Sequence, residues 1–214
     1  MAQDEPKAKP RRTQQERREG TIRKLLDAAT QTLIDVGYAE ASVQRICARA
    51  GTSQGALFRH FPSREALMVA VGEDVGQRLL VQYRGKLESL GEQRGDVMVA
   101  MRLVRQACRS RLNQAWYELR MAARTNEALR RALGPVCRRY YEDIERLACL
   151  LLPDLAEALG ERFSVLVATV LMMFDGEVMQ RNVVKMPRHE DARLELLASA
   201  VQLLSSYPSP RASR

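Results

Sequence analysis

The 214-residue chain has only two histidines and four cysteines, and neither set is arranged for chemistry. His60 and His189 stand far apart, and Cys47, Cys108, Cys137 and Cys149 form no CxxC pair. Zinc sites draw on paired or closely spaced ligands, so no metal site is expected, and no disulfide framework either. The scattered thiols read as buried and reduced, with Cys47 singled out only because it lies inside the motif described below. A Gly-rich phosphate loop and a nucleophile elbow are also missing, so the chain reads as a non-enzyme without a cofactor. No apolar run approaches the roughly 18 residues that span a bilayer. The longest, Val165 to Phe174, is about half that. Charges occupy the N-terminus where a signal peptide needs an apolar core, so a cytoplasmic protein without a membrane partner is expected. Strand signals and internal repeats are absent as well.

What is present is a globular composition, 46% apolar and 28% charged, with a net charge of +8. The charge is uneven. Residues 1–64 hold 12 Lys+Arg against 7 Asp+Glu, while the remaining 150 hold 22 against 19. A basic head on a nearly neutral body points to a polyanionic partner.

Helical signals run the length of the chain. Residues 1–12 mix Pro, Lys and Arg without periodicity and read as a disordered basic arm. Lys7, Lys9, Arg11 and Arg12 in it either reach a minor groove or only raise nonspecific affinity. Thr13 and Glu16 fit a capping box opening a first helix. Ile22, Leu25, Leu26, Ala29, Leu33 and Val36 then share its inner face, and Gly37 supplies a left-handed stop. Beyond residue 67, Gly and Pro are sparse and mark boundaries. Breaks are expected near Gly91–Gly95, Asn113, Asn126, Pro153–Gly160 and Met186–Pro187, with a frayed tail after about residue 207.

The densest information lies in Ser42–Leu67, SVQRICARAGTSQGALFRHFPSREAL. Ser42 is placed to cap a short helix ending near Ala50, with Val43, Ile46 and Ala50 inward. Gly51 suits the positive φ of a tight turn. Ser53 caps a second short helix carrying Leu57 and Phe61 inward; Pro62 ends it and Ser63 opens the next. This is the order of a helix-turn-helix, whose second helix presents its N-terminal side chains to base edges. Residues not needed for packing are then the groove-facing ones: Gln44, Ser53, Gln54, Gly55, Ala56, Phe58, Arg59 and His60. Gln54 suits bidentate bonding to adenine, Arg59 a guanine or a phosphate, and Ala56 a thymine methyl. His60 reads as a phosphate contact or a helix-end cap.

From about Arg23 to Leu67 the chain closely resembles the N-terminal domain of the TetR/AcrR family of transcriptional regulators. The resemblance rests on Ala28–Ala29, DVGY at Asp35–Tyr38, SVQRICARAGTSQGALFRHF and the following SREAL. It implies an all-α fold: a three-helix DNA-binding domain, a linking fourth helix, and a helical body for effector binding and dimerisation. The boundaries expected are 1–12 for the arm, 13–66 for the DNA-binding domain (motif about 42–61), 67–207 for the body and 208–214 for the tail. The DNA contacts implied are Gln44, Ser53, Gln54, Gly55, Ala56, Phe58, Arg59, His60 and Arg64. Phe58 stands where the family usually has Tyr, Arg64 where it has Lys, and Cys47 where Ala is common.

One such reader contacts too little DNA, so a homodimer on a palindromic double-stranded operator is expected. Leu194, Leu197, Val201 and Leu204 form a seam suited to its interface, beside the apolar stretch 162–185. Met98, Met101, Trp116, Tyr117, Met121, Tyr140, Met172, Met173, Phe174 and Glu177 are candidates for an effector cavity, with core packing the competing role. Asp175 and Glu177, acids within an apolar helix, either meet a cationic ligand or pair with Arg120 or Arg181 at the dimer interface. The function expected is a repressor released by a small-molecule effector; the alternative is an architectural, nucleoid-associated protein without one.

Overall fold

A computed structural model of the chain describes residues 13–206. Ten α-helices and no strand make up the described residues: α1 Gln14–Glu40, α2 Val43–Ala50, α3 Gln54–Phe58, α4 Arg64–Glu88, α5 Val97–Cys108, α6 Arg111–Ala123, α7 Glu127–Leu151, α8 Pro153–Leu159, α9 Arg162–Arg181 and α10 Pro187–Ser206. A single 3₁₀ turn, Gly91–Gln93, separates α4 from α5. The proposed arm (1–12) and tail (208–214) lie outside the described residues.

The local signals act where the sequence puts them. Thr13 and Glu16 close a reciprocal capping box on α1. Ser42, Ser53 and Ser63 each accept a hydrogen bond from the backbone N–H three residues on. Each satisfies a donor that the helix start leaves orphaned. At Gly37 (φ 75°) α1 breaks direction before one further turn to Glu40.

Several expectations need correction. Val36, expected on the inner face, is exposed, at the residue just before the break at Gly37. α3 stops at Phe58, and the chain turns through Arg59–His60 before Pro62. The break expected at Asn113 falls at Ser110, whose hydroxyl caps α6, while Asn113 Nδ2 donates to the Ala107 carbonyl. Pro153–Gly160 is mostly helix, because Pro153 sits in the first turn, where its missing N–H costs nothing. Pro135 lies inside α7, where a proline costs about 3 kcal/mol. Pro135 itself and Arg131, whose carbonyl loses its donor, both face water, and Leu129, Leu133, Val136 and Tyr140 anchor the opposite face.

Two apolar clusters organise the molecule. The first joins α1–α4 to α6 and α7 through Leu25, Leu33, Ile46, Leu57, Leu67, Trp116 and Leu133, so buried packing continues across residue 66. Each such side chain contributes about 1.5–3 kcal/mol by leaving water. Gly72 lets α4 approach α7 closely: a Cβ there would lie 2.8 Å from Leu133 Cδ1. The second cluster joins α5, α8, α9 and α10 through Met101, Phe163, Phe174, Leu194 and Val201. Among the described helices, α9 alone is long and apolar enough to cross a membrane. Here it packs on α5, α7 and α8 and carries Glu177, buried and paired to Arg109 and Arg193. Glu190, also buried, binds Arg109 and Arg181, which ties α10 to α5 and α9.

Candidate nucleic-acid interface and ligand cavity

The α2–turn–α3 unit is held from behind. Ile46, Leu57 and Phe61 are buried against α1 and α4, and Gly51 (φ 63°, ψ 40°) makes the turn. Gln44, Ser53, Gln54, Gly55, Phe58 and Arg59 are left exposed, with Ala56 and His60 half-buried. Phe58 is 45% exposed, an unusual place for a large apolar ring. A side chain added at Gly55 would meet only Ser53 Oγ at 4.0 Å, so packing does not require glycine there. What it leaves is a bare stretch of backbone on the outer surface of α3. The Ser53 hydroxyl is already bonded to Ala56 N–H, so its main role here is the cap. Arg45, which sequence reasoning passed over, is exposed beside this surface and pairs with Glu40.

Arg64 is placed differently from the contact that the resemblance implied. Its Nε donates to the Ala41 carbonyl at 3.1 Å and its Nη2 to the Tyr38 carbonyl at 2.5 Å. The guanidinium also lies 4.1 Å from the centre of the Tyr38 ring. The fork thus fastens the end of α1: it satisfies the Ala41 carbonyl and adds a second donor to the Tyr38 carbonyl, which already accepts from the Ala41 N–H. Cys47 is buried, and its desolvation pushes the thiol above its usual range, which keeps it protonated.

Inside the body, α4, α5, α6, α7, α8, α9 and α10 enclose an apolar cavity of about 130 Å³. Of the residues offered for an effector cavity, Met101, Trp116 and Tyr140 line it. The other candidates do not. Tyr117, Phe174 and Glu177 are buried in packing or ion pairs; Met98 and Met173 are half-buried against the second cluster; Met121 and Met172 face water. Sequence reasoning missed Tyr83, Cys108, Asn113, Tyr141 and the leucines of α7 and α8, which complete the wall. Such residues carry no local signal, because a cavity is defined by what fails to fill it.

The cavity's polar end is internally neutralised. Asp175 accepts from Arg120 at 2.6 Å and from the Tyr117 hydroxyl at 2.7 Å, which makes Arg120 the pairing partner of this acid within one chain. Burial pushes Cys108 and Tyr83 each up to about 12. The Tyr83 and Tyr140 hydroxyls lie 3.3 Å apart. Trp116 is fully buried and its Nε1–H has no partner among the described residues. The far corner of its benzo ring packs toward Gly72 of α4, so the N–H edge points the other way.

The expected dimer seam also needs correction. Leu194 and Val201 are buried in the second cluster, and Leu197 packs half-buried against it; Leu204 alone of the four is exposed. The large apolar residues turned to solvent on these helices are Val165, Met172 and Met179 on α9 and Leu196, Leu203 and Leu204 on α10. Val165, Met172 and Met179, like Leu196 and Leu203, are seven residues apart, the spacing of a helix–helix seam.

A capped, outward-facing second helix on a helical body that encloses a cavity defines a helix-turn-helix transcriptional regulator. Residues 25–71 match the family model for bacterial regulatory proteins of the tetR family. The chain is 37% identical over 188 residues to an HTH-type transcriptional regulator of Mycobacterium tuberculosis, covering 88% of this chain and 96% of that one. It is 35% identical over 71 residues to the A-factor receptor protein of Streptomyces griseus, covering 33% and 26%. The chain belongs to the TetR family. The multidrug binding protein EbrR, solved with imidazole, shares the fold with a TM-score of 0.63 at 21% identity, over 89% of this chain and 97% of that one. FadR of Bacillus subtilis, solved with stearoyl-CoA, shares it at 0.58 and 17% identity, over 86% and 97%.

Proposed function

We propose that this TetR-family regulator is a cytoplasmic homodimeric repressor that binds a palindromic operator and is released by a small molecule entering the cavity. The observation that carries the reading is the exposed row Gln44, Gln54, Gly55, Phe58 and Arg59, which no packing contact in the chain explains. Gln54 and Arg59 read base edges, Phe58 and the bare backbone at Gly55 sit against the groove wall, and Gln44, Ser53, Ala56 and His60 flank them. The heptad-spaced apolar residues of α9 and α10 pair with their mates in a four-helix bundle. This sets two readers on half-sites one or more helical turns apart. Support for a ligand comes from the cavity and from two neighbours of the same fold solved with small molecules.

The test is selection from random duplexes with the full chain, followed by affinity measurement at several salt concentrations. A palindromic consensus is expected, and Gln54→Ala should relax one base step at a cost of about 1–3 kcal/mol. Equal affinity for all duplexes with a steep salt slope would favour the architectural alternative.

A further inference from the structure

The cavity has a neighbour of opposite character. Between α4 and α5 lies a surface cleft of about 480 Å³, bordered by Lys86, Arg102, Arg105 and Arg109, with no carboxylate in its lining. Tyr83, Lys86 and Ala107 line both the cleft and the apolar cavity, so the two share a wall. Lys86 is the instructive member: it lines both, and its Nζ donates to Gln106 Oε1, a neutral acceptor on the exposed side. A long side chain of this kind keeps apolar company along its stem and charge at its tip.

The charges of the cleft are not all spent. Arg105 is paired with Asp191, and Arg109 with Glu177 and Glu190. Lys86 has only the Gln106 amide, and Arg102 is exposed with no ion pair to any described residue. The interior end of the cavity, by contrast, is neutral, because Arg120 and Asp175 cancel. A ligand charge therefore gains nothing at that end, and a negative one gains on the cleft side of the shared wall. The cavity is comparable in volume to one that takes up a benzene-sized apolar molecule, which sets the scale of the buried tail.

We propose that the effector is an amphiphile whose apolar tail fills the cavity and whose anionic headgroup, phosphate or carboxylate, lies in the cleft against Lys86 and Arg102. This deepens the effector reading above and rests on it.

Trp116 is the sole tryptophan of the chain and lines the cavity, so its fluorescence reports tail binding directly. Octyl phosphate, octanoate, 1-octanol and octyltrimethylammonium, each titrated below its micelle concentration into the full chain without DNA, vary the head at constant tail. Octyl phosphate should perturb Trp116 emission with an affinity at least about tenfold above octanol, as expected for a charge-assisted contact, and the ammonium should be weakest. Octanoate should fall between phosphate and alcohol. Butyl phosphate should bind about 15-fold less tightly than hexyl phosphate, at about fourfold per methylene, while the two further methylenes of octyl phosphate, beyond what the cavity holds, should add little. Inorganic phosphate alone should leave the emission unchanged. Lys86→Gln with Arg102→Gln should bring octyl phosphate down to the octanol level and leave octanol unaffected, which a general loss of structure would not do. The proposal is overturned if octanol or the ammonium binds as tightly as the phosphate, if the double variant keeps the preference, or if octyl phosphate does not bind. Because the readout needs no operator, octyl phosphate binding that leaves DNA affinity unchanged would sink the release mechanism and spare the ligand class.

Discussion

Glu118→Ala tests how the body holds the DNA-binding unit. At Gly37 the positive φ ends regular helix, and the N–H of Tyr38 turns away from its own helix to donate to Glu118 Oε2 of α6 at 2.9 Å. Glycine is what admits the carboxylate: a Cβ at Gly37 would stand 3.0 Å from the same oxygen. A hydrogen bond to a charged acceptor contributes about 1.5–3 kcal/mol. Glu118 is half-buried, so water reaches part of the site in the variant and the expected loss falls to about 1–2 kcal/mol. For a domain of this size that lowers Tm by about 2–8 °C. Urea denaturation gives the free energy, and Glu118→Gln, which keeps a carbonyl oxygen at the same reach, should recover about half of it. A change below about 0.5 kcal/mol, the range of an ordinary surface substitution, would refute the account. So would a Gln variant as damaged as the Ala variant.

Arg64→Lys should cost about 1–2 kcal/mol of stability, because a single ammonium cannot bond two carbonyls and stack on Tyr38 together. Arg64→Ala, which removes the charge, should leave the salt slope of DNA binding unchanged; a slope smaller by about one would return Arg64 to the phosphates. Thiol labelling of the native protein at pH 8 should modify exposed Cys149 first and leave Cys108 and Cys47 intact. Burial raises both of the latter, Cys108 to about 12, so each keeps its proton at that pH and is a poor nucleophile as well as inaccessible. Modification of Cys108 without unfolding would contradict this. Met172→Glu, placing a charge on the exposed stripe of α9, should yield a folded monomer in sedimentation analysis and weaken operator binding; an intact dimer would move the interface elsewhere.

The features legible in the sequence are those whose cause lies within a few residues. Each serine cap, the capping box at Thr13 and the turn at Gly51 depend only on neighbours three or four positions away, and all stand where the pattern places them. Arg64 has no such local cause. Its partners Tyr38 and Ala41 lie more than 20 positions back, so nothing near Ser63 announces them, and the DNA contact expected of Arg64 comes from the family resemblance alone. α10 fails for another reason. Leu194, Leu196, Leu197, Val201, Leu203 and Leu204 are apolar on more than one side, and periodicity alone does not say which stripe the chain buries. The second cluster takes Leu194 and Val201, which leaves Leu196, Leu203 and Leu204 turned to solvent.

The same long-range placement gives α6 its part in any signal from cavity to DNA. One 13-residue helix presents Asn113, Trp116 and Arg120 to the cavity and Glu118 to the end of α1. Arg111 at its start pairs with Asp35, which also holds Arg49 of α2. A ligand that shifts Trp116 or Arg120 therefore shifts, through one rigid element, two of the points at which the body grips the reader. α4 runs alongside with Gly72 packed toward Trp116 and Leu133, so it has little room to move independently of α6. Loss of the Glu118 clamp should consequently weaken the effect of effector on operator affinity more than it weakens effector binding itself. The two affinities are measured separately, and their ratio is the coupling.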